Sequence, residues 1–177
     1  MREYMNAGDA WLSDEEYQFV SSRVPILCVD LLPIVDGGQK FGLILRDIPG
    51  GRRGLNLIGG RVLIDEHLHE ALERHVQATL GENAELREET LVLVGVYQYF
   101  RELTRGALHD PRKNAVSITY AGEVCGTIIP QGEAYGFQTF EIDSPPPGQD
   151  FGFGQGSVVY DALKLFRSSP LCMGSRR

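Results

Sequence analysis

The amino-acid sequence predicts an α+β domain. Short runs dense in Val, Ile and Leu, punctuated by Gly and Pro, read as strands, while residues 65–80 place apolar side chains at every fourth position, the spacing of an amphipathic helix. The chain has 177 residues, 42% apolar and 23% charged, which suits one sizeable core and a single domain. A net charge of −7 argues against a broad nucleic-acid footprint, which needs a basic excess, but leaves room for a local arginine pocket. Cys28, Cys125 and Cys172 form no CxxC pair and are odd in number, as in a reducing compartment. The charged residues Arg2, Glu3, Asp9, Asp14, Glu15 and Glu16 leave no signal peptide to read, and no apolar run reaches the roughly 18 residues of a membrane span, so the expected location is the cytoplasm.

The elements follow in order. Ser13 stands three residues before Glu16, the capping-box spacing, and predicts a short N-terminal helix. Residues 24–35, VPILCVDLLPIV, run into Asp36-Gly37-Gly38 and read as a buried strand and turn, with 40–48, KFGLILRDI, as the hairpin partner. Residues 48–56, IPGGRRGLN, are Gly-rich and basic and read as a loop. Leu68, Leu72, Val76 and Leu80 then form an apolar stripe, Glu66, Glu70 and Glu73 lie off it, and Gly81 ends the helix. Residues 90–100, 114–124 and 136–142 read as three more strands. The Pro and Gly load of 144–156 excludes a regular element, Ser157 is expected to cap a last helix over VVYDALKLF, and 168–177 read as a loose tail beyond a core of about 12–167.

Within this frame Gly60, Glu66, Arg74, Val76 and Gly81 are spaced as G-x5-E-x7-R-x-U-x4-G, with U aliphatic. The spacing resembles the Nudix box, G-x5-E-x7-R-E-U-x-E-E-x-G-U, from which His75, Ala78, Thr79 and Glu82 depart. Outside the box, Val29-Asp30, Arg46, Gly59-Gly60-Arg61, the run from Asp65 to Ala71 and GVYQYF at 95–100 are similar to GDP-mannose mannosyl hydrolases, a Nudix branch with its own irregular box. DPRKNAVS at 110–117 resembles a segment that leads into a strand in other Nudix proteins. The resemblance covers residues 12–142 and implies a Nudix fold, a mixed β-sheet sandwiched between α-helices, with the box as loop–helix–loop.

It also implies a chemistry. Hydrolysing a diphosphate-linked substrate requires neutralising charge on the leaving diphosphate, and the family does so with a divalent metal held by carboxylates. At about 100° per residue, positions 75, 78, 79 and 82 share one sector of the helix. A full box has glutamate at three of them; here they are His75, Ala78 and Thr79. For Mg²⁺ or Mn²⁺ the resemblance leaves the Gly60 carbonyl and Glu133, which falls where the branch has a metal-ligating Gln, with His75 and Glu82 as substitutes. Ala134 falls where the branch has its catalytic His. Asp30, Glu133 and Arg74 are the catalytic candidates. An unpaired carboxylate in an apolar strand is costly, and the Asp that matches Asp30 faces the sugar. Arg74, which orients a Glu in the family, here finds Glu70 four residues before it. Arg46, Arg61 and Arg112 are expected to converge on a diphosphate, which planar guanidinium forks grip with paired, charge-assisted hydrogen bonds. The resulting expectation is a hydrolase of a nucleoside-diphosphate-linked substrate, a nucleotide sugar such as GDP-mannose, using Mg²⁺ or Mn²⁺. The alternative is an inactive Nudix-fold protein that senses a nucleotide or nucleotide sugar and needs no metal. Neither nucleic acid nor membrane is an expected partner; a homodimer through the segment around Tyr4, Trp11 and Tyr17 is a further reading.

Overall fold

The structure, a computed structural model, describes residues 11–168. In chain order it comprises α1 (Asp14–Ser21), β1 (Ile26–Val35), β2 (Lys40–Ile48), β3 (Arg52–Asn56), β4 (Ile58–Arg61), α2 (Leu68–Leu80), β5 (Ala84–Leu86), β6 (Val92–Tyr99), β7 (Ala115–Gly126), β8 (Gly136–Glu141) and α3 (Gly156–Ser168). Helix α1 starts as its capping box predicts: the Ser13 N–H donates to the Glu16 carboxylate at 2.8 Å, and the Glu16 N–H donates back to Ser13 Oγ at 3.3 Å.

The eight strands form one mixed sheet that splits into two leaves. Strands β1 and β2 pair only at Ile34 with Phe41 and Val35 with Lys40. Beyond that, β1 runs parallel to β7 and antiparallel to β4, and β7 also carries β5 and β6. Strand β2 is flanked instead by β3 and β8, both antiparallel. Pleating sends alternate β1 residues to opposite faces. On one face Val29 and Leu31 meet Leu72, Val76 and Leu80 of α2; on the other Leu32 and Ile34 share a cluster with Val158, Val159, Ala162, Leu163 and Phe166 of α3. The sheet is thus sandwiched between helices, which is why β1 reads as an almost unbroken apolar run. Asp30 interrupts that run on the α3 face.

Several local readings change in three dimensions. Residues 52–56, expected as loop, form β3, because Gly50 and Gly51 turn the chain at φ 95° and 78° and lay Arg52 opposite Ile48. The polar sequence RRGLN shows no strand pattern of its own; β2 imposes the ladder. Strands β4 and β5, four and three residues long, were likewise not legible. Ser157 does not precede the last helix but lies in its first turn, its hydroxyl donating to the Gly154 carbonyl at 3.4 Å. Arg74 pairs with Glu66 rather than Glu70: its Nε and Nη2 donate to the two Glu66 oxygens at 2.6 and 2.8 Å, and Nη2 also reaches the Arg61 carbonyl at 3.0 Å. Glu70 accepts the His67 N–H instead, at 2.8 Å, at the start of α2. Tyr4, Cys172 and nearly all of the expected tail lie outside the described residues. Among the described residues, no helix is long and apolar enough to cross a membrane.

The Glu66–Arg74 fork ties the loop before α2 to the helix, and Glu66 also accepts the Leu63 N–H at 2.8 Å. Burial pushes the Glu66 carboxyl up, but the hydrogen bonds from Arg74 and Leu63 outweigh it and hold it below the usual carboxylate range. A depressed folded value adds stability above the unfolded pKa, and that stability is lost as pH falls through the folded value. Glu66→Gln is therefore expected to cost about 1.5–3 kcal/mol in urea unfolding at pH 7, the usual range for hydrogen bonds to charged groups, and less at pH 3.

Candidate functional site

Where β1 and β2 part, a crevice opens between the leaves. Asp30, Ser117 and Gly59-Gly60 line it from one leaf, Arg46 and Asn56 from the other, and three loops close it with Asp110, Arg112 and Lys113, with Glu133, and with Phe153 and Gln155. The cavity holds about 170 Å³. That is the scale of a site that accepts one six-membered ring, cavities of about 150 Å³ being known to take benzene.

Asp30 anchors its floor. Its Oδ2 accepts from Ser117 Oγ at 2.6 Å and from the Tyr99 hydroxyl at 3.2 Å; the Tyr99 oxygen accepts from Gln155 Nε2 at 3.0 Å, and Gln155 Oε1 accepts the Leu57 N–H at 3.0 Å. The chain of bonds joins β1, β6 and β7 to the start of α3. Burial pushes the Asp30 carboxyl above the usual range, against the lowering effects of the Ser117 and Tyr99 hydroxyls, Lys113 and Arg46. The Tyr99 phenol is raised as well, first by burial and then by the adjacent Asp30. Gly59 is required beside it, because a Cβ there would run into the Val29 carbonyl and Asp30 Oδ1.

Two of the three expected arginines meet here. Arg46 Nη1 pairs with Glu133 Oε1 at 2.6 Å, while Arg112 grips Asp110 through Nε and Nη2 at 2.8 and 2.9 Å. Both guanidiniums face the Phe153 ring, at 5.8 and 4.9 Å from its centroid. Arg61 goes elsewhere: its guanidinium stacks on Trp11 and Tyr17, 4.4 and 5.0 Å from their centroids, so the aromatic side chains of α1 and the residues ahead of it take up the charge. Arg74 is engaged with Glu66 and with the Arg61 carbonyl, as described, and is not among the cavity-lining residues. The sequence reading passed over Lys113, Asn56, Tyr99, Ser117, Phe153 and Gln155. Only Lys113 carried a signal, as the cation next to Arg112.

The expected metal face of α2 is built of other groups. His75 Nε2 lies 3.1 Å from the Arg61 carbonyl, and burial pushes the imidazole towards its neutral form, in which Nε2–H donates to that oxygen. The ring packs on Gly60, where a Cβ would stand 2.6 Å from it. Ala78 is exposed, whereas Thr79 is buried and its carbonyl accepts the Gln131 N–H at 2.8 Å. Glu133 is committed to Arg46, and Glu82 is exposed beyond Gly81. Mg²⁺ and Mn²⁺ want several oxygen donors. A neutral imidazole holding a carbonyl, a methyl group and a buried threonine do not fit such an ion. Among the described residues no three His, Cys, Asp or Glu side chains group so as to hold one.

Three outcomes are expected. A raised folded pKa contributes stability that is fully present below the unfolded value, about 3.9 for Asp, and is lost as pH rises through the folded value. Asp30→Asn, which keeps an acceptor for Ser117, should therefore raise the thermal midpoint at pH 8 and help less at pH 4; a wild type that outlasts the variant at pH 8 overturns the assignment. His75→Glu with Ala78→Glu should create Mn²⁺ affinity, read by calorimetry, since it sets two oxygen donors beside the Gly60 carbonyl. Thr79→Glu should instead lower the melting temperature, because its carboxylate would be buried.

Comparison with solved structures places this geometry. A possible asymmetric diadenosine tetraphosphate hydrolase from Jonesia denitrificans is 26% identical, with a TM-score of 0.72 over 81% of this chain and 96% of that one. A MutT Nudix hydrolase from Burkholderia pseudomallei is 18% identical, with a TM-score of 0.61 over 78% and 98% of the two chains. A UDP-X diphosphatase is 18% identical, with a TM-score of 0.55 over 93% of this chain and 73% of that one. The latter two likenesses show the fold alone. No curated protein matches the sequence. With the two-leaved sheet, the loop–helix–loop at Gly60 to Gly81 and Nudix hydrolases as its structural neighbours, the chain has the Nudix fold, and it belongs to the family described as a domain of unknown function, DUF4916, which its residues 7–166 match.

Proposed function

We propose that this chain binds a nucleoside-diphosphate-linked small molecule, a nucleotide sugar such as GDP-mannose, in the crevice between the leaves, and that it acts as a sensor or carrier of that ligand. The observation that carries this reading is the α2 face: His75 is tied to the Arg61 carbonyl where a metal-binding carboxylate would be needed, while the cavity on the other side of Gly60 stays polar and open. The cavity takes one ring, and Asp30 Oδ1, which has no hydrogen-bond partner among the described residues, is placed to accept a ring hydroxyl. The cations along the crevice suit the diphosphate. The likeness to a chain described as a diadenosine tetraphosphate hydrolase supports a ligand of this class.

Hydrolysis is the second reading, and Asp30 favours it. A carboxyl that burial biases towards its protonated form, inside a cavity and near Arg46, suits acid–base chemistry at a sugar carbon, with water attacking and the nucleoside diphosphate leaving. Calorimetric titration in EDTA with GDP and with GDP-mannose separates these possibilities. Both should bind, and Asp30→Asn should weaken the sugar conjugate about five- to tenfold while sparing GDP, the effect of one altered hydrogen bond. Failure of wild type to bind either compound retracts the reading. Release of mannose or phosphate with Mg²⁺ or Mn²⁺ present turns it in favour of the hydrolase.

A further inference from the structure

The crevice holds three cations, and they are not equivalent. Arg46 is paired with Glu133, and Arg112 is held by Asp110 through two nitrogens. A ligand that recruits either guanidinium has to share it with a carboxylate already in place. Lys113 is different. It lines the same cavity and is half-buried, and among the described residues no carboxylate lies at ion-pair distance from its ammonium; the contact it makes is to the Cys28 thiol, Nζ to Sγ 3.6 Å. A thiol is a poor hydrogen-bond partner for an ammonium. An ammonium on the cavity wall with no carboxylate at ion-pair distance can take an anion from outside without first giving up an ion pair.

The remaining cavity charges point the same way. The carboxylates of Glu133 and Asp110 are each answered by an arginine, and Asp30 is hydrogen-bonded by the Ser117 and Tyr99 hydroxyls rather than by a cation. Lys113 supplies positive charge that, among the described residues, no ion pair consumes. A compact ammonium with three donors also suits the tetrahedral oxygens of a phosphoryl group, where no planar fork is needed.

Resting on the reading that the crevice takes a nucleoside-diphosphate-linked ligand, we propose that Lys113 is its anion anchor, donating to a phosphoryl oxygen of the diphosphate. Arg46 and Arg112, locked by their own carboxylates, then shape the walls and orient the ligand. This transfers to Lys113 the principal role expected from the sequence for a trio of arginines.

The test is calorimetric titration of the full chain with GDP and with inorganic pyrophosphate. Lys113→Met is compared with Lys164→Met, which removes the same charge from an exposed position on α3. Lys113→Met is expected to weaken GDP about ten- to a hundredfold, the usual effect of losing one charge-assisted hydrogen bond, and to abolish measurable pyrophosphate binding. Lys164→Met should bind GDP within about twofold of wild type, and Lys113→Arg should retain most of the affinity. The thermal midpoint of Lys113→Met should equal or exceed that of wild type, since no ion pair is lost; a drop would mark a structural role and count against the proposal. In unmodified protein, GDP should protect Lys113 from reductive methylation read by peptide mass spectrometry. Wild-type affinity in Lys113→Met, or equal methylation with and without GDP, overturns the assignment while leaving the binding reading intact. No binding of GDP by wild type overturns both.

Discussion

A strand has two hydrogen-bonding edges, and the architecture follows from how β1 spends them. Strand β7 occupies one edge along nine residue pairs, from Ile26 to Ile34. The other edge is divided: β4 takes Cys28 to Leu31, and β2 keeps Ile34 and Val35. Pro33, which has no N–H to donate, sits at the changeover. Because β4 already occupies that edge, β2 must leave it, and it satisfies its own backbone with β3 and β8. The crevice results from this division.

Charge inside the crevice is managed in a graded way. Glu133 and Asp110 are each matched to an arginine within hydrogen-bonding distance, while Asp30 is supported by neutral hydroxyls and pushed by burial towards its protonated form. The Tyr99–Gln155 relay fixes that support from the same face of the sheet, where α3 begins. Phe153 holds φ at 54°, a left-handed conformation uncommon outside glycine, between Gly152 and Gly154, and so presents its ring to both Arg46 and Arg112. These groups come from β1, β2, β6 and three loops far apart in sequence. They form one site only because the leaves separate there.

The opposite side of Gly60 is organised for a different end. The Glu66–Arg74 fork and the His75 ring both terminate on the Arg61 carbonyl, so the loop before α2 is bound to the helix by two adjacent side chains. At the helix C-terminus, the carbonyls of Thr79 and Leu80 accept N–H groups from Gln131 and Ile129, which carries the next loop, with Glu133, to the crevice mouth. The loop–helix–loop positions Gly60 and Glu133, and its α2 face carries the His75 imidazole and the Ala78 methyl group.

Local chemistry was enough for the elements whose signals are local. The capping box at Ser13, the four-residue stripe of α2 ending at Gly81, and the unbroken apolar run of β1 are properties of neighbouring residues, and the spacing of Gly60, Glu66, Arg74 and Gly81 made the fold legible. Asp30 stood out for a local reason as well, as a lone carboxyl in an apolar strand. Tertiary structure alone decided which partner each long side chain takes. Arg74 turned to Glu66 because the loop curls back over the helix, Arg61 was drawn to Trp11 and Tyr17 because α1 lies beside β4, and RRGLN became a strand because β2 offered an unpaired edge. Lys113 differs from Arg112 in having, among the described residues, no carboxylate at ion-pair distance, a difference that appears only once residues 28, 30, 46, 110 and 133 share one crevice. A sequence specifies which groups can ionise and donate. Which of them remain unmatched depends on distances between segments that only the packed sheet sets.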